Sequence, residues 1–549
     1  MPLKPWIQVA AIVLCALCVR AIFLGQLTES PLFHDLAADS ADYERLAEKI
    51  LSGDALDEAF VYQNPLYPFF LAALHKVFGP GTLPVLAVQT GLGAISCALL
   101  YAIGRATFGH RIALTAAGLQ ASYGILIFFS GLLLTTSLVV FLLLAAVSTL
   151  LAAQRRQRPG LFLLAGALFG LVMLGRPNAL VLLLFLPLAF PFAKRPGQAS
   201  RSPLVHFGVF LLGTALTLAP AAARNHAING QFSPFPAIGG LAFYIANNAE
   251  ATGRLTSPPG VSHAPITQIH TSIALAEQAT GASLTPAEAS AYWRARGFDY
   301  LLSQPVSAFS LYLRKARLFW QAEEIPLNVH YELYRTLTPI LRFPWFGFGF
   351  IAPLALLGIG IASRRRENPA LLLVVVLGYF AAALPFIVSA RYRLPVVPFL
   401  ILYAAYALDA IVSLVRAPRG RVRSLATILA SLTALTAAVN SGSRPSDTDR
   451  ATFDNNLAWV HATSADPRHR DPDRAIALAL RAAEQTQFQS ADVLDTLAAA
   501  YASSGQFDAA IETQLRAIAL QPRPSPEMAE RLRRYREAVT AAAPADTTR

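Results

Sequence analysis

The chain has 549 residues, of which 54% are hydrophobic and only 14% are charged. Water-soluble globular proteins do not have such an excess of apolar residues, so the composition predicts a membrane protein with several spans. The formal net charge of +12 does not indicate nucleic-acid binding, because the basic residues cluster between apolar runs and form no single face beside stacking aromatics. Cys15, Cys18 and Cys97 all lie in apolar segments, which excludes a disulfide framework.

The first apolar run is interpreted as a retained span, because no clear small-residue cleavage site precedes the acidic stretch that follows it. With ten further runs of similar length, it predicts an all-α polytopic membrane domain over residues 1–440, with about eleven transmembrane helices. The predicted spans are residues 5–24, 83–104, 111–129, 132–153, 160–175, 178–193, 203–222, 343–363, 369–388, 395–415 and 422–440.

Short basic loops indicate the orientation of these spans. The segments GRATFGHR, QRRQR, KRPGQASR, SRRRE and RAPRGRVR follow every second span. Lys and Arg are enriched in cytoplasmic loops, so these segments and the N-terminus are predicted to lie in the cytoplasm. Residues 25–82, residues 223–342 and everything after about residue 441 are then predicted to lie on the external face.

The second external segment, residues 223–342, is expected to cover the membrane domain. Its stretch GGLAFYIANNAEATGRLTSPPG is rich in Gly, Asn and Pro and is predicted to be a loop. The stretch after it predicts a helix, a break at Pro305, and then a basic aromatic helix along the membrane interface. Lys315 and Arg317 of that helix are expected to contact lipid headgroups.

Residues 450–549 are polar, Ala-rich and helical in pattern. A motif of small residues where two helices touch, with a proline after the second helix, is typical of tetratricopeptide repeats. Here it comprises Leu497, Ala498, Tyr501, Gly505, Ala510, Ala517 and Pro522, with a looser copy at Leu457, Ala458, Ala475 and Ala482. A generic amphipathic helical hairpin has a similar pattern, so both interpretations stay open. A repeat domain would provide a concave face for a protein partner.

Four arginines are predicted at the external face, against the usual orientation bias: Arg176, Arg224, Arg391 and Arg393. Each one alone is explained by an arginine that extends to the interface and pairs with a lipid phosphate or a helix C-terminus. Four together suggest a site for a phosphate-bearing lipid headgroup, because a guanidinium donates two hydrogen bonds to a phosphate.

Acidic residues are distributed very unevenly. No Asp or Glu occurs between Glu58 and Glu250, and among the other predicted spans only Asp409 is acidic. A coupling carboxylate near the membrane midplane, as ion-driven transporters usually have, is therefore missing, which weakens a transporter hypothesis.

The carboxylates crowd into the first external segment, where residues 39–53 predict an amphipathic helix. Asp39 at its start can simply cap the helix. Alternatively it is a general base at the membrane surface that takes a proton from an acceptor hydroxyl. In the turn QNPLYP, Asn64 and Tyr67 can hydrogen-bond a sugar, although Tyr is equally suited to the membrane interface.

These residues resemble a known family, the multi-spanning GT-C type glycosyltransferases that use polyprenyl-phosphate sugars. That group includes protein O-mannosyltransferases and the lipid A aminoarabinose transferase. The resemblance covers most of residues 1–440, and its motifs occur in the family's order: the first-loop pattern Asp39, Tyr43, Ala47, Gly53 with NPLYP; GRPN at 175–178; RNHAINGQF before GGLAFYIANNAEATG; and RYRLPVVPFL.

The resemblance implies an inverting transfer with Asp39 as the catalytic base and with Asp42 and Asp35 as the next candidates. Ser40 replaces the second acid that the family commonly shows, and QN replaces a phosphate-contacting Lys before the Pro-Leu turn. Donor-phosphate binding is therefore expected from Arg224, Arg391 and Arg393, with Arg176. Substrate contacts are expected from Tyr43, Asn64, Tyr67, Tyr392, Asn247 and Asn248, although the two last asparagines equally suit turns.

No metal or other cofactor is required by this scheme, because fixed positive charges neutralise the leaving phosphate. His34 beside Asp35 provides two metal ligands without a third. The expected location is a bacterial inner membrane, with the active site and tail in the periplasm. The expected partners are a polyprenyl-phosphate sugar, membrane lipids, a glycan, lipid or protein acceptor, and a protein bound by the tail. The alternative is a non-catalytic lipid transporter or scaffold.

Overall fold

The structure is a computed structural model that describes residues 4–33, 39–53, 63–190, 202–230, 232–256, 258, 261, 265–327, 329–416, 422–442, 447–521 and 526–542. The described residues are predominantly helical and contain no β-strand; their isolated β-bridge joins Tyr123 and Phe346. The predicted all-α fold is confirmed. The chain divides into two compact units, one comprising Met1–Leu24, Ala37–Asn328 and Phe343–Ser443 and the other Gly25–Leu36, Val329–Arg342 and Arg444–Arg549.

The helices of the chain up to residue 190 are α1 (Pro5–Thr28), α2 (Asp39–Ser52), α3 (Leu66–Phe78), α4 (Thr82–Thr107), α5 (His110–Ala121), α6 (Gly124–Ser130), α7 (Thr135–Arg156), α8 (Pro159–Gly175) and α9 (Leu182–Phe185). Short 3-10 helices cover Pro31–Phe33, Pro177–Val181, Leu186–Ala189 and Leu394–Val396.

The later helices are α10 (Pro203–Asn229), α11 (Gly239–Ala246), α12 (Pro265–Thr280), α13 (Pro286–Ser303), α14 (Pro305–Trp320), α15 (Tyr331–Leu337), α16 (Pro339–Arg342), α17 (Phe348–Arg365), α18 (Ala370–Ala383), α19 (Ala390–Arg393), α20 (Val397–Val415), α21 (Val422–Asn440), α22 (Asp447–Thr463), α23 (Pro472–Gln485), α24 (Ala491–Ser503), α25 (Phe507–Ala519) and α26 (Pro526–Ala542).

Six helical stretches of the described residues are long and apolar enough to cross a bilayer: Pro5–Thr28, Thr82–Thr107, Thr135–Arg156, Pro203–Ile228, Phe348–Arg365 and Ala390–Val415. Shorter apolar helices occur at Leu66–Phe78, Pro159–Gly175, Pro177–Ala189 and Ala370–Ala383. The predicted span 111–129 is broken between α5 and α6, and the described part of span 178–193, up to residue 190, is divided into short pieces. The apolar helix α3 lies inside a segment that was predicted to be an external loop.

Close helix packing in the first unit depends on glycines without side chains. A Cβ on Gly166 of α8 would lie 1.9 Å from the Phe210 carbonyl oxygen of α10, and one on Gly213 would lie 2.1 Å from Leu163 O. Likewise, a Cβ on Gly358 of α17 would lie 2.0 Å from Tyr403 O of α20. Small residues of this kind let helices approach closely in lipid, where van der Waals contact drives association.

The stretch GGLAFYIANN is not the loop that its Gly and Asn content predicts, because its first part forms the helix α11. Its Gly240 packs so closely on α13 that a Cβ would lie 1.8 Å from the Ser290 carbonyl oxygen. Leu241, Ile245 and Trp293 belong to a common buried cluster. Apolar packing outweighs the local turn preference here. The predicted break at Pro305 is confirmed, since α13 ends at Ser303 and α14 begins at Pro305.

The second unit is built mainly from α22 to α26. Alanines at the helix contacts, including Ala458, Ala475 and Ala482, are fully buried in its apolar core. Two hydrogen bonds from Arg531 and one from Gln514 satisfy the buried carboxylate of Asp495. Small residues therefore lie where the repeat pattern predicts them, while Pro522 lies outside the described residues. The tetratricopeptide assignment of this tail stays a prediction.

Candidate active site

Asp39 begins α2, which packs one face of its amphipathic pattern into the first unit. Tyr43, Leu46 and Ala47 on that face are buried, and Ser40 Oγ donates to the Leu133 carbonyl oxygen at 3.2 Å. These contacts hold the start of the helix against the turn before α7. The carboxylate of Asp39 forms an ion pair with Arg391 Nη1.

Arg391 lies on the one-turn helix α19, in an irregular stretch between α18 and α20. The Ser389 side chain caps this turn by accepting from the Tyr392 backbone N–H at 3.3 Å. Only 3% of Arg391 is exposed, and its Nε is buried without a hydrogen-bond partner among the described residues. One part of the guanidinium therefore holds Asp39, while another part keeps an unused donor.

Arg176 follows the last residue of α8 and is also buried. Its Nη2 donates to Thr136 Oγ1 at 3.3 Å, and its Cζ lies 4.6 Å from the centroid of the Tyr392 ring. Its Nε, like that of Arg391, is buried with no hydrogen-bond partner in the described part of the chain. No acidic side chain is paired with Arg176 among the described ion pairs.

Tyr43 links the acid of this site to both arginines. Its side chain interacts electrostatically with Asp39, Arg391, Arg176 and Tyr392. Burial, and secondly the Asp39 carboxylate, raises the pKa of Tyr43 to about 12. The phenol therefore keeps its proton at neutral pH and can donate a hydrogen bond.

The structure thus brings together five residues predicted from the sequence: Asp39, Tyr43, Arg176, Arg391 and Tyr392. It adds two residues that the prediction missed. Thr136 orients Arg176, and Tyr379 interacts electrostatically with Arg176, while its buried hydroxyl has no hydrogen-bond partner among the residues that the structure describes. Both lie in apolar runs of the sequence, where a Thr or Tyr does not stand out from ordinary membrane-helix composition.

Asp42, the second candidate base, lies on α2 but contacts a different residue. Its Oδ1 lies 3.6 Å from Arg45 Nη2, one turn further along the helix. Burial raises the pKa of the Asp42 carboxyl, and Arg45 offsets part of this effect. No described hydrogen bond or ion pair joins Asp42 to Arg391. Asp35, the third candidate, and His34 lie outside the described residues.

Tyr67 and Asn64 were predicted to contact a substrate. The fully buried Tyr67 hydroxyl donates instead to Gln89 Oε1 at 2.7 Å, and Gln89 in turn donates to the Leu132 carbonyl at 2.8 Å. Tyr67 therefore acts inside the protein, with its ring edge-to-face on Tyr43 at 5.0 Å between centroids. Asn64 is half-buried, and its Oδ1 has no hydrogen-bond partner among the described residues.

Arg393 makes a different set of contacts, all of the described ones within the protein, although it lies only two residues from Arg391. The guanidinium carbon Cζ of Arg393 lies 3.5 Å from the centroid of the Phe348 ring. Its nitrogens donate to the carbonyls of Phe319 (2.9 Å), Gln321 (2.7 Å) and Glu323 (3.1 Å) and to the Glu324 carboxylate (2.8 Å). Arg393 is therefore a structural residue.

Arg224, at the end of α10, donates from Nη2 to Asn225 Oδ1 at 2.7 Å, and no described contact joins it to Arg391.

The two asparagines of the predicted sugar-binding loop are structural as well. Asn247 is fully buried and donates to Phe243 O and Pro385 O. Asn248 donates to Tyr244 O and accepts from the Glu250 backbone N–H. Asn248 thus serves the local backbone, as the alternative interpretation of turns predicted, whereas Asn247 also reaches the distant Pro385 carbonyl and accepts from Lys315.

Lys315 was expected to contact lipid headgroups, but the structure buries it completely. Its Nζ donates to Asn247 Oδ1 and to Leu384 O, each at 3.1 Å. Burial without a carboxylate partner lowers the pKa of Lys315 to about 7. Arg317, two residues further on, is exposed.

Among the described residues, no group of three or more His, Cys, Asp or Glu side chains is arranged to hold a metal ion. The predicted residues that the structure brings together provide one carboxylate, two buried guanidiniums and aromatic hydroxyls. Such a set can bind an anion through the arginines and accept a proton on the carboxylate.

Comparison with solved structures gives distant resemblances. The archaeal oligosaccharyltransferase AglB from Archaeoglobus fulgidus, in complex with an inhibitory peptide and a dolichol-phosphate, is 15% identical over 84% of this chain and 59% of its own length, with a TM-score of 0.42. ArnT from Cupriavidus metallidurans, bound to undecaprenyl phosphate, is 15% identical over 93% of this chain and 75% of its own, with a TM-score of 0.40. This chain thus spans less than two thirds of the length of the oligosaccharyltransferase.

No curated protein matches the sequence significantly. Residues 62–222 match the model of the dolichyl-phosphate-mannose-protein mannosyltransferase family. The matched region includes α3 to α8 and Arg176, and it ends within α10. This match confirms the predicted resemblance of the chain to the membrane-embedded glycosyltransferases that include the dolichyl-phosphate-mannose-protein mannosyltransferases.

Proposed function

We propose that this chain is a membrane glycosyltransferase that moves a sugar from a polyprenyl-phosphate donor to an acceptor hydroxyl, with inversion at the anomeric carbon. The observation that best supports this function is the ion pair between Asp39 and Arg391. It joins an acid of the first predicted external loop to a cation 352 residues later. The family match over residues 62–222 supports a lipid-phosphate-linked sugar as donor.

Arg391 and Arg176 would bind the donor phosphate. Both are buried, and each has an Nε without a hydrogen-bond partner in the described chain. Guanidiniums form paired hydrogen bonds with phosphate oxygens, and a buried cation with unused donors gains free energy when an anion arrives. Tyr43 and Tyr392, which lie beside these arginines, would contact the phosphate or the sugar.

Asp39 would act as general base. The acceptor oxygen attacks the anomeric carbon, the bond from that carbon to the phosphate oxygen breaks, and the bonding electrons leave with the polyprenyl phosphate. Asp39 takes the proton of the acceptor hydroxyl. Before the donor binds, Arg391 holds this carboxylate; a bound phosphate would compete for the guanidinium and so free the carboxylate to approach the acceptor hydroxyl.

The arginine charges would stabilise the leaving phosphate electrostatically in this scheme. The basic loops support an active site on the periplasmic side of a bacterial inner membrane. A glycan, lipid or protein would supply the acceptor hydroxyl, and the tail would recruit a protein partner.

The test is a turnover assay on the purified protein in lipid nanodiscs, with mixed polyprenyl-phosphate sugars and acceptors. We expect Asp39→Asn to lower transfer at least about a hundredfold while the protein stays folded. Glu48→Gln, on the exposed face of the same helix, is the matched control and should leave transfer unchanged. Full activity of the Asp39→Asn variant would refute the role of Asp39. Donor binding without turnover in the wild-type protein would favour a lipid transporter or scaffold.

A further inference from the structure

The segment from Leu384 to Arg393, here called the arginine segment, connects α18 to the 3-10 turn before α20. Most of it is irregular, with one helical turn at its end. It includes Arg391, whose position relative to Asp39 decides whether the two can form their ion pair. An irregular segment has few hydrogen bonds of its own, so its position must be set by neighbouring elements.

Lys315 of α14 contacts the start of this segment. Its Nζ donates to the Leu384 carbonyl oxygen and to Asn247 Oδ1, each at 3.1 Å. The nitrogen also lies 4.7 Å from the centroid of the Tyr312 ring. The side chain is completely buried, and no described ion pair involves it. Burying a lysine without a carboxylate partner costs free energy of folding, so the position of Lys315 needs a physical reason.

Asn247 completes a two-residue contact on the same segment. While its Oδ1 accepts from Lys315, its Nδ2 donates to the Pro385 carbonyl oxygen at 2.8 Å and to the Phe243 carbonyl oxygen at 2.7 Å. Lys315 and Asn247 thus bind two successive carbonyls, those of Leu384 and Pro385, and also bind each other. Gly253 packs on this lysine, since a Cβ there would lie 3.1 Å from Lys315 Cγ.

Backbone hydrogen bonds hold the middle of the arginine segment to the residues that follow Asn247 and to the residues that follow α14. The Val388 N–H donates to Gly253 O at 2.8 Å, and the Ala390 N–H donates to Ile325 O at 2.9 Å. Gly253 follows Asn247 by six residues, and Ile325 follows the end of α14. The arginine segment is therefore hydrogen-bonded to two parts of the chain, the residues after α11 and the residues after α14. Lys315 of α14 binds Asn247 at the end of α11 and so links these two parts at one end.

We propose that Lys315 is a positioning residue, which with Asn247 holds the arginine segment in register and thereby sets the position of Arg391 relative to Asp39. The expected effect of Lys315 on donor binding rests on the proposed function, whereas its expected effect on the position of the arginine segment does not. Lysine suits this position because its ammonium group has three donors on a flexible stem, enough for a backbone carbonyl and an amide oxygen at once.

The first test compares Lys315→Met with Arg314→Met in the full-length protein. Arg314 is its neighbour on α14 but is exposed, so it controls for loss of a basic side chain. Hydrogen exchange is measured at the Val388 and Ala390 amides, and binding is measured with undecaprenyl phosphate in nanodiscs. We expect Lys315→Met to speed exchange and to weaken binding about tenfold, as the loss of one or two buried hydrogen bonds implies. Arg314→Met should change neither quantity.

A merely structural role is tested with the double variant Lys315→Met/Asn247→Leu. The double substitution removes the amide oxygen that Lys315→Met leaves unsatisfied, and with it the donor to the Pro385 carbonyl oxygen. Neither the Leu384 nor the Pro385 carbonyl then has its side-chain donor, so binding of undecaprenyl phosphate by the folded protein should be at least as weak as in Lys315→Met. Binding at the wild-type level would overturn the proposal. If Lys315→Met does not fold, the double variant serves for both tests.

The remaining outcomes separate this proposal from the proposed function. Unchanged exchange at Val388 and Ala390 in a folded Lys315→Met protein would overturn the positioning role, whatever the protein binds. Absence of undecaprenyl phosphate binding by the wild-type protein would contradict the proposed function, and hydrogen exchange alone would then decide the role of Lys315. In a transfer assay, a positioning role predicts a higher donor KM, whereas a smaller folded fraction lowers only the apparent kcat.

Discussion

Asp39 and Arg391 form a direct ion pair although 352 residues separate them in the chain. Both side chains are largely buried, with 16% and 4% of their surfaces exposed. We expect a double-mutant cycle of Asp39→Asn and Arg391→Gln to show a coupling energy of about 1–3 kcal/mol in unfolding measurements. Additive effects of the two substitutions would mean that the pair contributes nothing. Glu48→Asn with Arg391→Gln is the control cycle, because Glu48 is exposed on the same helix.

Asp42→Asn should separate the two acids at the start of α2. Burial raises the pKa of Asp42, so the folded protein disfavours its charged form and loses stability as the pH rises above the carboxyl's unfolded value. The neutral Asn should therefore leave stability at neutral pH unchanged or higher, and transfer should be retained. Thermal unfolding and the turnover assay check these two outcomes. A loss of transfer as large as that of Asp39→Asn would move the catalytic role to Asp42.

Arg393→Met should destabilise the protein more than Arg391→Met does. Arg393 donates to three backbone carbonyls and one carboxylate, whereas the described hydrogen bond of Arg391 goes to Asp39. Removing one partner of a buried pair costs about 3–5 kcal/mol. Denaturant unfolding of the two purified variants compares the losses. Equal losses would contradict the structural role assigned to Arg393.

Gly358→Ala should disrupt the contact between α17 and α20. The added Cβ would lie 2.0 Å from the Tyr403 carbonyl oxygen, so the helices must move apart, at a cost of about 3 kcal/mol or more. Gly360→Ala on the same helix meets nothing within 4 Å and is the matched control. It should be neutral or slightly stabilising, because Ala favours helix more than Gly. Thermal unfolding in detergent distinguishes the two variants.

Lys315 should give the protein a pH-dependent stability. Its pKa is about 7 in the folded state against an ordinary value of 10.5, so the unfolded chain binds more protons between these values. The contribution of Lys315 to the free energy of unfolding therefore increases as the pH rises from about 7 toward 10.5, and it is lower below about pH 7. The difference in melting temperature between wild type and Lys315→Met, followed from pH 6 to about 10, measures this effect. A difference independent of pH would contradict the lowered pKa.

Composition and local pattern alone predicted the helical membrane fold, the first-loop helix that begins with Asp39, and the break at Pro305. These features depend on apolar runs, amphipathic spacing and proline, which act over a few residues. The unusual position of arginines on an external face placed Arg176 and Arg391 among the site candidates, whereas Tyr43 and Tyr392 entered through the resemblance to the family.

Which candidate contacts which could be decided only by the tertiary structure. Arg391 and Arg393 share one helical turn, where residues two apart are rotated by about 200°, so one guanidinium reaches Asp39 and the other reaches carbonyls at and just after the end of α14. Asn247 and Lys315 resembled a sugar ligand and a lipid anchor, but their partners at residues 384 and 385 are distant in sequence. Hydropathy alone predicted a helical membrane protein, since hydrophobicity is a property of each residue, although it missed α3 and the break between α5 and α6. The pairing of charges was decided by packing, since the direction of a side chain depends on every neighbouring helix.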